Sequence, residues 1–422
     1  MAKTLSEWLN ALEAVKPQST IELGLARMRR MLDKIKWKND VPIIIVGGTN
    51  GKGSTCLMLE SIYQASGRKV ATHTSPHILR FNERARFNGR ELGDEALAAG
   101  FEEVDAVRGG EELTYFEFTL LAILCAFRKA CPDVMVLEVG LGGRLDAVNA
   151  LEPAASIVTA VGVEHETFLG TTRDAVGWEK AHIYRAGKPA VCADPVPPNK
   201  LTEYAQALGA ELLLRGVDFD VQETASGAMK FKYKKESFLL PMPALYGKNQ
   251  MDNAAGVLAV VESLQKTLPV SKDSMAKGLL NVRLPGRFEI ISKKPLVIVD
   301  VGHNPHAAAR LLENLASCPA PGKTTAVFGM LKDKDMMHVV RIVMPEIDRW
   351  FISGLPPPRG AKAQELKSAM LEAGVSGDDI TVFDTVPQAL DAAYRRSSPE
   401  DRILIFGSFV TVTEALPHLH VL

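Results

Sequence analysis

The sequence predicts an α/β protein. A larger domain, built on a mostly parallel sheet and carrying a small antiparallel sheet, precedes a smaller α/β domain. Three observations lead to this prediction. Apolar runs of strand length alternate with helical patterns through most of the chain. A glycine-rich turn, residues 47–55, stands between the first of these runs and a helix. The same alternation restarts after residue 287.

Composition narrows the class of protein. The 422 residues are enough for two or three domains, and 46% hydrophobic with 23% charged residues is ordinary for a globular chain. A net charge of −1 gives no overall field that would attract nucleic acid or an acidic membrane, so neither partner is expected. The five cysteines are scattered without a CxxC pair, which predicts reduced thiols and a cytoplasmic location. The N-terminus lacks the apolar core of a signal peptide, and the apolar run 118–127 is too short to span a bilayer.

The elements of the first domain follow from hydrophobic periodicity. Helices are predicted at 5–15, 22–36, 55–66, 94–107, 115–130 and 178–184, and strands at 42–46, 69–74, 133–139, 156–161 and 189–192. The runs 133–139 and 156–161 are almost wholly apolar, as in parallel strands that are buried on both faces. Short alternating segments between 211 and 242 predict the small antiparallel sheet, and 250–266 returns to helix.

The turn at 47–55 predicts a phosphate-binding loop, or P-loop. Its glycines let backbone N–H groups face an anion, and the following helix N-terminus adds partial positive charge. Lys52 can reach the outer phosphates, and Ser54 or Thr55 can face a metal-bound oxygen. The spacing differs from the common G-x-x-x-x-G-K-[ST] pattern, because a glycine separates Lys52 from Ser54. The alternative is a tight strand–helix turn with a surface lysine.

Three further polar residues stand where predicted strands end. Ser75, Glu138 and His165 each lie at or just past such an end, as the phosphate loop does. The carboxyl ends of parallel strands share one edge, so these groups can reach a single ligand. Glu138 stands within an apolar run, and burying its carboxylate is costly unless another group compensates the charge. A magnesium ion that bridges two phosphates would do so. Each residue also has a structural alternative: Glu138 could form a buried ion pair, His165 could be an ordinary loop histidine, and Ser75 could cap a turn. Histidine is also an unusual ligand for magnesium.

The second half reads as a smaller Rossmann-like α/β domain. Strands are predicted at 296–301, 325–328, 349–353, 380–383 and 403–406, with helices between them. We place the boundary at Leu284-Pro285-Gly286-Arg287, which gives domains 1–287 and 288–422. Asp300 and His303 follow a strand and could bond to a nucleotide base or ribose, although a helix cap explains them equally well.

Two classes of function fit these features. The first is an ATP-dependent ligase, which needs a carboxylate acceptor and an amine. The second is a P-loop kinase or regulatory NTPase, in which the second domain binds a partner. A ligase releases ADP only when both acceptor and amine are present, whereas a kinase needs a hydroxyl acceptor.

Several motifs together resemble one family, the folylpolyglutamate synthase/dihydrofolate synthases of the Mur ligase superfamily. They run in the family's order across nearly the whole chain and are individually weak but jointly specific. The matching stretches are Gly48-Thr49-Asn50-Gly51-Lys52-Gly53-Ser54, Thr74-Ser75-Pro76-His77, 138–147, Glu164-His165, Leu284-Pro285-Gly286-Arg287-Phe288, and Asp300 with His303-Asn304-Pro305. Residues 20–25 and 113–117 resemble the bifunctional bacterial members.

The resemblance implies a role for each matching residue. The ATP phosphates would be held by Thr49, Asn50, Gly51, Lys52, Gly53 and Ser54. ATP would be contacted across the domain cleft by Asn253, Arg287 and Asp300, with His303 in the same motif. Two magnesium ions would be held by Ser75, Glu138 and His165. The pterin site would be lined by Ile21, Glu22, Leu23, Thr114, Tyr115, Phe116, Glu117, Leu145, Asp146 and Ala147. Lys180, an ordinary helical lysine by sequence alone, matches a lysine that carries a carbamate. Catalysis would rest on Lys52, Lys180, His165 and Glu138.

The activity implied by the resemblance is acyl-phosphate ligation. ATP and Mg²⁺ would serve to add L-glutamate to 7,8-dihydropteroate, forming dihydrofolate, and to the glutamate tail of reduced folates. The protein would be a monomer that acts on small molecules. A folylpolyglutamate synthase without the first activity remains an alternative, and a Mur-type peptidoglycan ligase is disfavoured by the pterin-site match. Four residues depart from the family pattern: Glu164, Val148, Gly302 and Val410 stand where aspartate, threonine, alanine and histidine are usual.

Overall fold

The computed structural model describes residues 3–18, 20–38 and 40–419. The chain divides into two compact units. The first comprises the residues up to Ala244 together with Gln250–Val282, and the second comprises Leu245–Asn249 together with the residues from Arg283 onward. These units differ from the division at 287 by two short segments, 245–249 and 283–287. The functional domains 1–287 and 288–422 stay a prediction.

The first unit alternates helices and strands as the apolar periodicity predicts. Its helices are α1 (Leu5–Val15), α2 (Ala26–Lys34), α3 (Lys52–Ala65), α4 (Asp94–Arg108), α5 (Tyr115–Ala130), α6 (Glu166–Leu169), α7 (Arg173–Ala181), α8 (Asn199–Leu208), α9 (Lys248–Ser263, whose first two residues fall in the second unit) and α10 (Lys272–Asn281). Its strands are β1 (Ile43–Gly47), β2 (Val70–His73), β3 (Ala85–Phe87), β4 (Arg90–Glu91), β5 (Val134–Glu138), β6 (Ala155–Val158), β7 (Pro189–Cys192), β8 (Glu211–Leu214), β9 (Phe219–Glu223), β10 (Met229–Tyr233) and β11 (Glu236–Leu240).

The eight-stranded sheet of this unit brings the predicted site strands side by side. Its order is β4-β3-β2-β5-β1-β6-β7-β8, parallel from β2 to β8 and antiparallel at β3 and β4. Strands β1, β5 and β6 are buried along their whole length because helices cover both faces. Val46 on β1 pairs with Glu138 on β5 and Ile157 on β6, so these three strands end at the same edge.

The segment after β8 forms the small antiparallel sheet that the alternating pattern predicts. Strands β9, β10 and β11 pair in the order β11-β10-β9. Along β10, Met229 and Phe231 are buried while Lys230 and Lys232 are exposed. This alternation is what a sheet with one covered face requires.

The second unit is a six-stranded sheet with helices between its strands. Its strands are β12 (Glu289–Lys293), β13 (Leu296–Asp300), β14 (Thr324–Phe328), β15 (Arg349–Ser353), β16 (Ile380–Phe383) and β17 (Arg402–Phe406). Its helices are α11 (Pro305–Ala316), α12 (Met336–Val343), α13 (Ala363–Ala373), α14 (Val386–Arg396) and α15 (Phe409–Ala415). The strand order is β12-β13-β17-β14-β15-β16, parallel except for β12.

Three predicted helices begin three or more residues away from their predicted starts. The helix predicted from 22 begins at Ala26, because the preceding residues form part of a cavity wall described below. The helix predicted from 55 begins at Lys52, directly after the turn at Gly51. The helix predicted at 178–184 spans Arg173–Ala181, because the side chain of Thr172 accepts a hydrogen bond from the N–H of Ala175 and caps an earlier start.

Within the described residues, no helix combines the length and the apolar character needed to cross a membrane. All five cysteines are free thiols.

Candidate active site

The phosphate loop joins β1 to α3, and its backbone conformation requires glycine at two positions. Gly48 has φ +141° and Gly51 has φ +88°, both in the region that side chains disfavour. A Cβ on Gly48 would lie 1.8 Å from Oγ1 of Thr159, and a Cβ on Gly51 would lie 2.4 Å from Oδ1 of Asn253. The loop is therefore packed tightly by neighbouring side chains, and one of them belongs to the predicted ATP-contact residue Asn253.

The segment after β6 holds this loop in place. The N–H of Thr49 donates to the carbonyl of Ala160 (2.7 Å), and its hydroxyl lies 2.9 Å from the carbonyl of Gly162. The hydroxyl of Thr159 lies 2.7 Å from the carbonyl of Asn50. These contacts fix the loop without a nucleotide, which lowers the ordering cost of binding one.

Lys52 is the first residue of α3, and its ammonium lies back over the loop. Nζ lies 3.0 Å from the carbonyl of Gly48 and 3.2 Å from that of Thr49. Ser54 is buried in the first turn, and the buried hydroxyl of Thr55 has no hydrogen-bond partner in the described residues. The six residues predicted to hold phosphates, 49–54, thus span the end of the loop and the start of α3, and the ammonium of Lys52 lies over the loop.

The three predicted metal ligands lie at the same sheet edge. The N–H of Ser75 donates to Oε2 of the buried Glu138 (2.9 Å), which joins the ends of β2 and β5. His165 follows β6 with φ +48° and is the N-cap residue of α6. Ser75 and His165 line one cavity. Across the described ranges, no group of three or more His, Cys, Asp or Glu side chains is placed to hold a metal ion. A cation here would therefore need the serine hydroxyl and ligand oxygens to complete its shell.

Lys180 is buried on α7 and pairs with Glu164. Its side chain is about 1% exposed, and Nζ lies 3.1 Å from Oε1 of Glu164. Burial lowers the pKa of Lys180 to about 8, although Glu164 opposes the shift. Burial raises the pKa of Glu164, but the charges of Lys180, Lys52 and His165 and the hydrogen bond from Lys180 together leave that pKa below its ordinary value. A Cβ on Gly143 would lie 3.0 Å from Cα of Lys180, so the turn after β5 packs directly on this helix.

A cavity of about 230 Å³ collects the residues of the predicted pterin site. Its walls come from the α1–α2 connection, the ends of β2 and β5, and the start of α5. The lining residues are Gln18, Thr20, Ile21, Glu22, Leu23, Gly24, Ser75, Pro76, Arg84, Thr114, Tyr115, Phe116, Glu117, Gly140, Leu141, Leu145, Asp146, Ala147 and His165. All ten predicted pterin-site residues are among them, and we refer to this space as the substrate cavity.

The two buried carboxylates of the substrate cavity differ in their surroundings. Glu117 accepts from the N–H of Thr114 (2.8 Å) and from Nε of Arg27 (3.1 Å), so a cation neutralises it. Asp146 accepts from the N–H groups of Leu141 and Val148 (2.9 Å each). Burial raises the pKa of Asp146 to about 6 despite these donors. Asp146 is thus the carboxylate whose charge is balanced mainly by backbone N–H groups.

The remaining predicted ATP contacts belong to the second unit. The carboxylate of Asp300 accepts from the N–H groups of Phe288 (2.8 Å) and Gly302 (2.6 Å), and burial raises its pKa. The guanidinium of Arg287 lies 5.1 Å from the ring of Phe409, which the ring of His303 also approaches at 6.0 Å. A Cβ at Gly302 would lie 2.7 Å from Oδ1 of Asp300, so the usual alanine would crowd this carboxylate.

Arg84 is a residue of the substrate cavity that the sequence patterns do not predict. This arginine ends the short 3-10 helix Phe81–Arg84 and lies on the wall of the substrate cavity with 2% of its surface exposed. Its position nine residues after Ser75, in a segment that returns to the sheet edge, is the only sequence signal that points to it.

Two family models of the Mur ligases match this chain. The family model of the Mur ligase middle domain matches residues 46–261, and that of the Mur ligase glutamate ligase domain matches residues 286–409. The dihydrofolate synthase/folylpolyglutamate synthase of Escherichia coli (strain K12) is 39% identical over 98% of this chain and 95% of its own length. The chain belongs to the dihydrofolate synthase/folylpolyglutamate synthase family. The relative of the same name from Haemophilus influenzae is also 39% identical, over 97% of this chain and 96% of its own.

Solved structures of the family agree along the whole chain. Escherichia coli FolC in complex with DHPP and ADP superposes with a TM-score of 0.92 at 39% identity, covering 99% of this chain and 97% of that one. A bifunctional member with Mn, AMPPNP and L-glutamate bound gives a TM-score of 0.90 at 38% identity, covering 99% and 98%. The predicted α/β fold and the predicted ATP-dependent ligase family are confirmed, and the kinase and regulatory NTPase alternatives are disfavoured.

Proposed function

We propose that this chain joins L-glutamate to 7,8-dihydropteroate, and to the glutamate tail of reduced folates, at the expense of ATP. One observation carries the proposal. Ser75 and His165, at the sheet edge where the phosphate loop begins, line the same substrate cavity as the ten residues of the proposed pterin site. A pterin held there would direct its acyl chain toward a nucleotide held by the loop.

The solved relatives support the pairing of these ligands. One holds DHPP with ADP, and another holds Mn, AMPPNP and L-glutamate. Both cover 99% of this chain, so each element that lines the substrate cavity or the loop has a counterpart there. We transfer the ligand classes to this chain on that basis: a nucleotide, a pterin acid, an amino acid and a divalent cation.

For the nucleotide, we assign the phosphates to Thr49, Asn50, Gly51, Lys52, Gly53 and Ser54. The loop supplies backbone N–H groups. Lys52 supplies a positive charge that, among the described residues, is hydrogen-bonded to two carbonyls and can turn from them to an anion. Asn253 packs against this loop. Arg287, Asp300 and His303 remain proposed ATP contacts from the second unit.

For the metal, the residues present fit Mg²⁺ with oxygen-rich ligation. The hydroxyl of Ser75 and the buried carboxylate of Glu138 are hard oxygen donors, and His165 contributes nitrogen. Bound Mg²⁺ would neutralise charge on the transferring phosphoryl group. Two ions, as the family resemblance implies, require more ligands than these three residues, and ATP oxygens would supply them.

We further propose that Lys180 carries a carbamate. Its amine is buried beside Glu164, although lysine side chains are rarely buried in proteins. In the modification, the neutral amine attacks carbon dioxide, a C–N bond forms, and the amine loses a proton. The product anion would repel Glu164 in place of the present ion pair. A nearby cation is therefore required, and Lys52 already interacts with both side chains.

The chemistry follows from where these groups lie. A carboxylate oxygen of the acyl substrate attacks the γ-phosphorus of ATP, the bond to ADP breaks, and Lys52 with the loop N–H groups stabilises the charge that develops. The amine of glutamate then attacks the acyl phosphate, an amide bond forms, and inorganic phosphate leaves with the proton released to solvent or base. We also propose that the protein is a monomer and that it lies in the cytoplasm. The five free thiols support a reducing compartment.

The test is ADP release with ATP, Mg²⁺ and L-glutamate, comparing 7,8-dihydropteroate with tetrahydrofolate as acceptor. We expect release with both acceptors, and only when glutamate is present. Release with tetrahydrofolate alone would leave a tail-extending synthase. Release that does not need glutamate, or none from folded protein that binds ATP, would contradict the proposal.

A further inference from the structure

Arg84 is a buried cation that forms no ion pair with the described residues. Its side chain is 2% exposed, and no carboxylate lies within ion-pair distance of it in the part of the chain that the structure describes. Other buried arginines differ: Arg402 pairs with Glu346 at 2.8 Å. Taking a guanidinium out of water is costly unless an anion compensates it. Glu138 and Glu83 act on this charge only from beyond ion-pair distance, so the position of Arg84 favours a bound anion in direct contact with it.

The contacts that Arg84 does make leave part of the guanidinium unused. Its Nε donates to Nδ1 of His77 (2.8 Å), and because Nδ1 accepts, this imidazole nitrogen carries no proton. The rings of Phe81 and Tyr115 lie 5.8 and 5.9 Å from its Cζ. Nη2 has no hydrogen-bond partner among the described residues, although it is buried. A buried donor left unsatisfied costs free energy, and an anion bound beside Arg84 in the substrate cavity would satisfy it.

The unused donor belongs to a residue of the substrate cavity. Arg84 lines this space together with Ser75, Pro76, Tyr115 and His165. It is also close enough to Glu138 for the two charges to interact. Arg84 therefore lies toward the sheet edge where we place the metal ligands and the phosphates.

We propose that Arg84 binds the reacting carboxylate of the acyl substrate. This inference rests on the proposed function, because dihydropteroate carries a single carboxylate and that group must lie next to the γ-phosphate. Nη2 donates to one carboxylate oxygen and leaves the other to attack phosphorus. Arg84 thus compensates its own burial with the charge of the substrate and orients the nucleophilic oxygen.

The test compares an anionic ligand with its neutral counterpart. Affinities for 7,8-dihydropteroate and for its carboxamide are measured in ADP and EDTA, so that no metal contributes to the preference. Hydrogen bonds to a charged group are about twice as strong as neutral ones, so we expect the wild type to prefer the carboxylate by about tenfold or more. Arg84→Met should bind both compounds alike, and Arg84→Lys, which keeps the charge, should retain part of the preference.

The matched control is Arg86→Met, two residues along the chain. Arg86 pairs with Glu60 at 3.1 Å and does not line the substrate cavity, so this variant should keep the wild-type ratio. Because both ligands report on the same folded molecules, the ratio is insensitive to a partly unfolded sample. Equal binding of the two compounds by the wild type, or a full preference in Arg84→Met, would overturn the role of Arg84 while leaving the ligase intact. Binding of neither compound by the wild type would overturn both proposals.

Discussion

Gly51 offers a sharp test of the phosphate loop, because the same helix carries a matched glycine at its other end. Gly51 precedes α3 with φ +88°, and Gly67 follows α3 with φ +86°. Alanine in this left-handed region costs about 1–2 kcal/mol at either position. At Gly51 the new Cβ would also lie 2.4 Å from Oδ1 of Asn253, whereas at Gly67 nothing lies within 4 Å.

The two variants should therefore differ in nucleotide affinity. The amide of Asn253 is buried and donates from Nδ2 to Oε1 of Gln250 (3.0 Å), and displacing it costs about 1 kcal/mol more. Without a nucleotide, the loop of Gly51→Ala can relax away from this clash. Binding of ATP must then restore the wild-type conformation of the loop, at a cost in affinity. The total of about 2–3 kcal/mol corresponds to ATP binding that is weaker by about 30- to 150-fold.

Calorimetric titration measures the affinity for ATP, and urea unfolding measures the free energy of unfolding. Gly51→Ala should lose ATP affinity by the factor given above. Gly67→Ala should lose about 1–2 kcal/mol of unfolding free energy while it binds ATP as the wild type does. If Gly51→Ala binds ATP as tightly as the wild type does, or if both variants lose the same amount of ATP affinity, the assignment of this loop is refuted.

Three further predictions concern single side chains. Lys52→Ala should abolish ADP release, because the charge above the loop is lost; wild-type turnover would contradict its role. Lys180→Ala should lose activity that small carboxylates partly restore, and an absence of rescue would count against the carbamate. If the ionised carboxylate of Asp146 accepts pterin N–H groups, protonation below its pKa of about 6 removes that acceptor. Dihydropteroate affinity should then fall about fourfold from about pH 7.5 to 5.5 in the wild type. The affinity of Asp146→Asn should not change with pH over this range.

Much of the sheet edge could be predicted because its causes are local. The glycines, the apolar strands and the polar residues at their ends determine the order strand, turn and helix. The register of Val46 with Glu138 and Ile157 then brings these strand ends level. Glu138 was recognisable because a carboxylate in an apolar run is costly, and it is indeed buried.

Other features depend on contacts between distant residues and left no local signal. Lys180 reads as an ordinary helical lysine, and its burial depends on contacts between distant residues, such as the packing of Gly143 on α7. Asn253 meets the phosphate loop from a helix about 200 residues later, so it could be assigned only through the family resemblance. Arg84 is surrounded by charged residues in sequence, and its burial becomes visible only in the folded chain.

The path of one oxygen atom tests the central claim most directly. 7,8-Dihydropteroate labelled with ¹⁸O in its carboxylate is incubated with ATP, Mg²⁺ and L-glutamate, and the released phosphate and the pterin product are analysed by mass spectrometry. Ligation through an acyl phosphate predicts one ¹⁸O in each phosphate, matched by a product that has gained one glutamate. Product that forms while the phosphate stays unlabelled would contradict the mechanism. Labelled starting material that stays unchanged while ATP is consumed would contradict the ligase itself.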